Sequence, residues 1–125
     1  MAKILIIDDD RQLCGFLHEL LTENGHEVLE ATDGEQGLEL YKKFAADIII
    51  VDLFMPKKGG VMTIVDLRIV NPGVKIIAIS GGGVGPAIGH LSVAKHLGAD
   101  HVLAKPFRHD ELLDLVAKLS GELVA

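Results

Sequence analysis

Short apolar runs alternate with amphipathic stretches along the whole chain. Two of the runs, Lys3–Ile7 and Asp47–Val51, are apolar at almost every position, which is typical of strands buried on both faces of a parallel sheet. The run His26–Glu30 alternates between apolar and polar residues, so it predicts a half-exposed strand at a sheet edge. Two further apolar runs, Val74–Ile79 and His101–Ala104, complete a set of five predicted strands.

Each predicted strand is followed by a stretch with helical spacing of its apolar residues. The predicted helices are Arg11–Asn24, Glu35–Phe44, Val61–Val70, Ala87–Leu97 and Arg108–Leu119. One face of the first helix is marked by Leu13, Phe16, Leu17 and Leu20. Strands joined by helical crossovers run parallel, with helices on both faces of the sheet. The pattern therefore predicts an α/β fold of the (βα)5 doubly wound type, a three-layer sandwich formed by residues 1–125 as one domain.

The composition restricts the kind of binding partner and the cellular compartment that we expect for this protein. At 49% apolar and 24% charged residues, the chain suits a single globular core. Its net charge of −6 argues against direct nucleic-acid binding, which needs a basic face. No apolar run approaches membrane-spanning length, and acidic residues follow the first short run, unlike a signal peptide. The single Cys14 predicts a small buried side chain in a reducing compartment, and we expect a cytoplasmic protein.

Polar residues suited to metal and phosphate chemistry stand where four of the predicted strands end. Asp8 and Asp9 follow the first strand, and Asp52 follows the third. Ser80 follows the fourth strand, and Lys105 follows the fifth. Because parallel strands place their carboxyl ends at one edge, where such sheets bind ligands, we expect these residues to converge. Each one alone fits a cap or a turn, but their conjunction at one edge favours a site.

The combination of residue types restricts the chemistry of that site. Three adjacent carboxylates repel one another, and a hard cation such as Mg²⁺ relieves the repulsion. Lys105 adds a positive charge and Ser80 a hydroxyl donor, which together suit a phosphoryl group bound beside Mg²⁺. Asp52 stands alone at the end of a central strand, so it is the leading candidate for a nucleophile that forms an acyl phosphate.

Four motifs resemble those of the receiver domains of two-component response regulators. They are IIDDD at Ile6–Asp10, IIIVDLFMPKKGG at Ile48–Gly60, IIAIS at Ile76–Ser80 and HLGADHVLAKPF at His96–Phe107. The motifs follow the family order and spacing and cover essentially the whole chain. The resemblance implies a flavodoxin-like sheet of strand order 2-1-3-4-5.

The resemblance also implies the roles of the acidic residues. Asp52 matches the phosphoacceptor, which takes a phosphoryl group from the phosphohistidine of a sensor histidine kinase or a histidine phosphotransfer protein. Asp8 and Asp9 match the acidic pair that holds Mg²⁺ together with Asp52 and the backbone carbonyl of Phe54. On this basis the protein is not an enzyme, except that it catalyses its own phosphorylation and dephosphorylation.

Further positions match the groups that contact the phosphoryl oxygens in this family. Lys105 matches the lysine that contacts the phosphoryl oxygens in this family, and its peptide bond to Pro106 is expected to be cis. Ser80 matches the hydroxyl that follows the phosphoryl group on activation. The backbone N–H groups of Phe54 and Gly81 are expected to complete the cradle.

The chain departs from the family pattern in its switch region. The family usually has Tyr or Phe three residues before the lysine, and here that residue is Val102. The segment from Ser80 to Lys105 is a few residues longer than is usual, and the excess lies in the glycine-rich stretch. The predicted switch region comprises Ser80, Gly82, Gly83 and Val102. We expect this region, with the face of the fourth predicted helix and the fifth strand, to control an output protein of unknown identity.

Two alternative functions remain open at this point. Val102 motivates a protein-interaction module of the same fold that acts without phosphorylation. A Mg²⁺-dependent phosphatase is a weaker alternative, because Phe54 stands where such an enzyme needs a general acid. The glycines of SGGGVGP do not have the spacing of a nucleotide-binding loop. No effector domain is expected within residues 1–125, and no partner in a membrane.

Overall fold

The computed structural model describes residues 2–53, 59–80, 95 and 98–124, with side chains as far as residue 121. The strands are β1 (Lys3–Ile7), β2 (Glu27–Ala31), β3 (Ile48–Asp52), β4 (Lys75–Ser80) and β5 (His101–Ala104). The helices of the described residues are α1 (Arg11–Glu23), α2 (Gly34–Phe44), α3 (Gly60–Val70) and α4 (His109–Val124). The predicted helix Ala87–Leu97 lies outside the described residues, apart from residue 95. Within the described part of the chain, no helix combines the length and the apolar composition that crossing a bilayer requires.

The five strands form one parallel sheet in the order β2-β1-β3-β4-β5, as the resemblance implies. In the sheet register, Ile7 lies beside Val51, and Ser80 lies beside Ala104. The carboxyl ends of β1, β3, β4 and β5 therefore meet at one edge. Strand β2 lies at one side of the sheet and has both buried and exposed residues, so the prediction of a half-exposed edge strand is confirmed.

The core lies on both faces of the sheet, which confirms the three-layer sandwich. Successive residues of a strand point to opposite faces. Ile4 and Ile6 therefore pack on one face with buried residues of α1 and α4, whereas Leu5 and Ile7 pack on the other with α2 and α3. All five residues of β3 are buried, as the continuous apolar pattern predicts for a central strand.

Asp10 caps the N-terminus of helix α1, and its carboxylate accepts hydrogen bonds from the backbone N–H groups of the second and third helical residues. Its buried residues are Cys14, Leu17 and Leu21. The burial of Cys14 is confirmed, but the expectation that Phe16 shares the buried face is wrong. Phe16 is 41% exposed and lies against the ring of His109, with 4.6 Å between ring centroids. Cys14 lies on the face of α1 that packs against the sheet instead.

At the edge of the sheet where the strands begin, hydrogen bonds connect β4 and β5 to α3. The Arg68 guanidinium, at the end of α3, donates to the carbonyl oxygens of Val74 and Gly98. It also pairs with the Asp100 carboxylate at 2.8 Å. The same carboxylate accepts a hydrogen bond from Ile76 N–H at 2.7 Å. This arrangement ties the starts of β4 and β5 to α3, and hence helps to set the positions of their carboxyl ends.

Helix α3 starts in direct contact with the backbone of the third strand. The Gly60 N–H donates to the Leu53 carbonyl at 3.2 Å. A Cβ atom at Gly60 would overlap the Asp52 carbonyl oxygen and lie 2.6 Å from Leu53 Cα. Only glycine therefore allows the helix to approach this closely without displacing the backbone at Asp52.

We predict that Gly60→Ala lowers the free energy of unfolding by about 2–3 kcal/mol, because backbone atoms cannot yield as a flexible side chain can. The matched control is Gly15→Ala, an exposed position in α1 where a Cβ meets nothing within 4 Å. That substitution should raise the stability by about 0.5–1 kcal/mol. Urea unfolding measures the free energy of unfolding of both variants. Equal effects of the two substitutions would contradict the close approach of α3 to the backbone of Asp52 and Leu53.

Candidate functional site

The structure brings together the five residues that the sequence places at the strand ends. Asp52 is the last residue of β3 and Ser80 the last of β4, while Asp8 and Lys105 directly follow β1 and β5. Asp8 is 1% exposed and Asp52 is 5% exposed, whereas Asp9 is exposed to solvent. The site is therefore a cluster of charged groups set into the edge of an apolar sheet, with one acidic residue on its solvent side.

The three carboxylates lie close enough to share a cation. One oxygen each from Asp8, Asp9 and Asp52 can be chosen so that all three lie within 4.8 Å of one another. Carboxylate oxygens are the ligands that hard divalent cations prefer, and Mg²⁺ keeps water molecules or phosphate oxygens as its other ligands. The donor set of this cluster thus fits Mg²⁺, and Asp9 lies on the side of the cluster that is exposed to solvent.

Lys105 supplies positive charge to the buried side of the cluster. Its Nζ lies 3.3 Å from Asp8 Oδ2 and 3.7 Å from Asp52 Oδ2. The Lys105 N–H donates to the Ser80 carbonyl at 2.8 Å, which continues the pairing of β4 and β5 beyond the strands. The peptide bond to Pro106 is cis, as expected. Among the described residues, the Lys105 ammonium therefore offsets part of the negative charge of Asp8 and Asp52.

Ser80 carries a hydroxyl that the described part of the chain does not satisfy. The residue is fully buried, and its Oγ has no hydrogen-bond partner among the described residues. A buried hydroxyl without a partner is costly. An oxygen atom of a group bound at this edge would remove that cost, so the position of Ser80 fits the predicted phosphoryl contact.

Asp8 is held by its neighbours at several points. Its N–H donates to the Ala31 carbonyl at 3.0 Å. Its Oδ1 accepts from Asp10 N–H at 2.9 Å, and its carbonyl accepts from Cys14 Sγ at 3.2 Å. The sequence indicates Cys14 only as a small buried side chain. No sequence signal reveals that the thiol reaches Asp8, because the contact depends on how α1 is rotated on the sheet.

The thiol of Cys14 stays protonated under ordinary conditions. Burial, followed by the negative charge of Asp8, raises the pKa of Cys14 to about 12. Reactive cysteines need the thiolate form and some exposure, and Cys14 has neither. Its S–H group is therefore a hydrogen-bond donor and not a nucleophile.

Of the remaining predicted site residues, Val102 lies in the described part of the chain, and the others do not. Val102 lies in β5 beside Ala78 of β4, half-buried against the core on the side of α2 and α3. Its branched side chain offers no ring that could rotate between a buried and an exposed position. The residues Phe54, Gly81, Gly82 and Gly83 lie outside the described residues, so their predicted roles remain predictions.

Comparison with known proteins agrees with this geometry. The profile of the response regulator receiver domain family matches residues 4–117. The chain is 40% identical over 113 residues to the transcriptional regulatory protein CpxR of Klebsiella pneumoniae, an alignment that covers 90% of this chain and 47% of CpxR. The chain thus spans about half the length of that relative.

Two further relatives match over nearly their full length. The chemotaxis protein CheY of Thermotoga maritima is 31% identical over 122 residues, which cover 94% of this chain and 97% of that protein. A response regulator receiver domain protein of Clostridium thermocellum, whose crystal structure is known, superposes with a TM-score of 0.90 at 27% identity and complete coverage of both chains. With the acidic cluster at the predicted edge of a 2-1-3-4-5 sheet, the chain belongs to the response regulator receiver domain family of two-component systems.

Proposed function

We propose that this receiver domain is a phosphoacceptor, which takes a phosphoryl group from a phosphohistidine onto Asp52. One observation carries the proposal. The Asp52 carboxylate is almost fully buried, with the Lys105 ammonium 3.7 Å from one of its oxygens and two more carboxylates within 4.8 Å. This setting provides a nucleophile, a positive charge and a place for a divalent cation at the same point.

In the proposed transfer, an oxygen of Asp52 attacks the phosphorus of the phosphohistidine. The P–N bond breaks, its electron pair stays on the imidazole nitrogen, and an acyl phosphate forms on Asp52. Mg²⁺ held by Asp8, Asp9, Asp52 and the Phe54 carbonyl would neutralise charge on the phosphoryl oxygens.

Lys105 and Ser80 are proposed to hold the transferred group. The Lys105 ammonium already lies between Asp8 and Asp52, so a short movement of its side chain reaches a phosphoryl oxygen. The Ser80 hydroxyl gains a hydrogen bond that it lacks among the described residues. Both groups interact more strongly with the dianionic phosphoryl group than with a lone carboxylate, and this difference favours the phosphorylated state. The N–H groups of Phe54 and Gly81 are proposed as further donors.

Hydrolysis of the acyl phosphate completes the cycle. Water attacks the phosphorus, the bond between the phosphorus and the Asp52 oxygen breaks, and its electron pair stays on the restored Asp52 carboxylate, while inorganic phosphate and the surplus proton pass to solvent. The domain therefore catalyses its own phosphorylation and dephosphorylation only, and it is a switch rather than an enzyme in the usual sense.

The proposed partners are a sensor histidine kinase or a histidine phosphotransfer protein on the input side, and a protein on the output side. The net charge of −6 disfavours direct contact with nucleic acid. The switch is proposed to involve Gly82, Gly83 and the β5 surface around Val102. Since Val102 has no ring to rotate, an interaction module that ignores phosphorylation is the second candidate function.

We predict that acetyl phosphate with Mg²⁺ adds one acid-labile phosphoryl group to the chain, and that Asp52→Asn abolishes the addition. The amide of asparagine is a far weaker nucleophile than a carboxylate. Intact-mass spectrometry measures the modification, and Asp114→Asn on the exposed side of α4 is the matched control. Modification of Asp52→Asn at the wild-type rate would contradict the proposal. A wild-type chain that stays unmodified would favour the interaction module.

Removal of the Lys105 charge is expected to change the phosphorylation rate and the Mg²⁺ affinity in opposite directions. Lys105→Met should slow phosphorylation by about a hundredfold, because a group that stabilises the transferring phosphoryl is lost. The same substitution should tighten Mg²⁺ binding about threefold or more at low salt, because it removes a positive charge near the cation.

Ser80→Ala is the matched control for the metal measurement, since it removes a neutral group and should leave Mg²⁺ affinity unchanged. Isothermal titration calorimetry reports the affinities, and mass spectrometry reports the rates. Weaker Mg²⁺ binding by Lys105→Met would show that the ammonium does not compete with the cation for the carboxylates.

A further inference from the structure

The thiol of Cys14 occupies a position that the proposed transfer does not use. Cys14 lies in the first turn of α1 and is 2% exposed, among aliphatic side chains of the core face formed by α1 and α4. Its Sγ points toward the acidic site and donates to the backbone carbonyl of Asp8 at 3.2 Å. This side-chain hydrogen bond therefore links the core of the sandwich to the acidic site.

This hydrogen bond acts on the backbone segment that directs the Asp8 carboxylate. The Asp8 N–H is already tied to Ala31 of β2 at 3.0 Å. With the carbonyl also held by Cys14, the backbone is constrained on both sides of the Asp8 Cα atom. Rotation of the backbone there would move Cβ and the carboxylate, so these two bonds limit where the carboxylate can lie.

The carboxylate itself depends on the same segment. Asp8 Oδ1 accepts from Asp10 N–H at 2.9 Å, and Asp8 Oδ2 faces Lys105 Nζ at 3.3 Å. Both contacts have little tolerance for displacement, because hydrogen bonds weaken steeply as geometry worsens. A shift of the Asp8 backbone would also change the distances within the group of three carboxylates.

An apolar residue could fill the space of the thiol but could not make this contact. Valine and alanine pack well on the inward face of a helix, yet they would leave the Asp8 carbonyl without the donor that it has here. A buried carbonyl that loses its partner carries the cost of its desolvation. Relaxation of the backbone toward water is the expected response, and Asp8 would move with it.

We propose that Cys14 is a positioning residue, whose S–H group orients Asp8 for Mg²⁺ binding through the Asp8 carbonyl. The inference rests on the proposed function, since it assigns Asp8 to the metal. It gives the buried cysteine a role in the site beyond that of a core side chain.

The test compares variants that keep a donor with variants that lack one, at two side-chain sizes. Cys14→Ser and Cys14→Thr retain a hydroxyl, whereas Cys14→Ala and Cys14→Val do not. Leu21→Ala is the control for loss of stability, because Leu21 is fully buried in the same core cluster near the other end of α1.

Two measurements are made on the whole chain. Amide hydrogen exchange of Asp10 in the metal-free protein reports on the Asp8 carboxylate that accepts from it, and calorimetry gives the Mg²⁺ dissociation constant. We expect Asp10 exchange to be about threefold faster or more, and Mg²⁺ binding to be about three- to tenfold weaker, in the alanine and valine variants. The serine and threonine variants should stay closer to the wild type, and Leu21→Ala should change neither measurement.

Three results would overturn the inference. The first is equal Asp10 exchange and equal Mg²⁺ affinity in the variants with and without a hydroxyl donor. The second is an effect of Leu21→Ala as large as that of the alanine and valine variants of Cys14. The third is Asp10 exchange that is the same in every variant. A wild-type chain that binds no Mg²⁺ would contradict the proposed function and with it the orientation of Asp8 for a metal. Wild-type binding that the Cys14 variants do not alter would instead contradict the inference alone, so the two failures are distinguishable.

Discussion

The gathering of buried negative charge at one edge of an apolar sheet is the constraint on which the rest of this structure depends. Asp8 and Asp52 are both nearly inaccessible to water; Asp8 directly follows β1, and Asp52 is the last residue of β3. Burying charge is costly unless it is compensated, and the compensation must come from well-placed groups. Lys105, which approaches both carboxylates from the end of β5, provides part of it. The three carboxylates gathered at this edge form a group suited to a metal ion.

Lys105 offsets the charge of the carboxylates only while the backbone around the site keeps these groups at short distances. Gly60 lets α3 begin against the backbone of Asp52 and Leu53, where any side chain would intrude. On the other side of the sheet, Cys14 and Asp10 hold Asp8 through its carbonyl and its carboxylate. The positions of the charged groups are therefore set by neutral contacts with neighbouring helices and not by attraction among the charges alone.

The continuous apolar runs of β1 and β3 predicted two central strands, because only strands covered on both faces have no polar side. The rotation of α1 was predicted less well, since Leu13, Phe16 and Leu17 have helical spacing but Phe16 turns outward toward His109. Spacing defines an apolar stripe only to within one residue, and the choice depends on how the helix meets the sheet.

By itself, the sequence determined the order of strands and helices and the residues that end the strands, because periodicity and chain order are local properties. Those properties were enough to bring Asp52, Ser80 and Lys105 to one edge, since parallel strands must end on the same side. Only the tertiary structure decided that Lys105 lies between two carboxylates, that the Ser80 hydroxyl is buried, and that the Cys14 thiol reaches Asp8. Such contacts join residues far apart in the chain or depend on helix rotation, and both are set by packing.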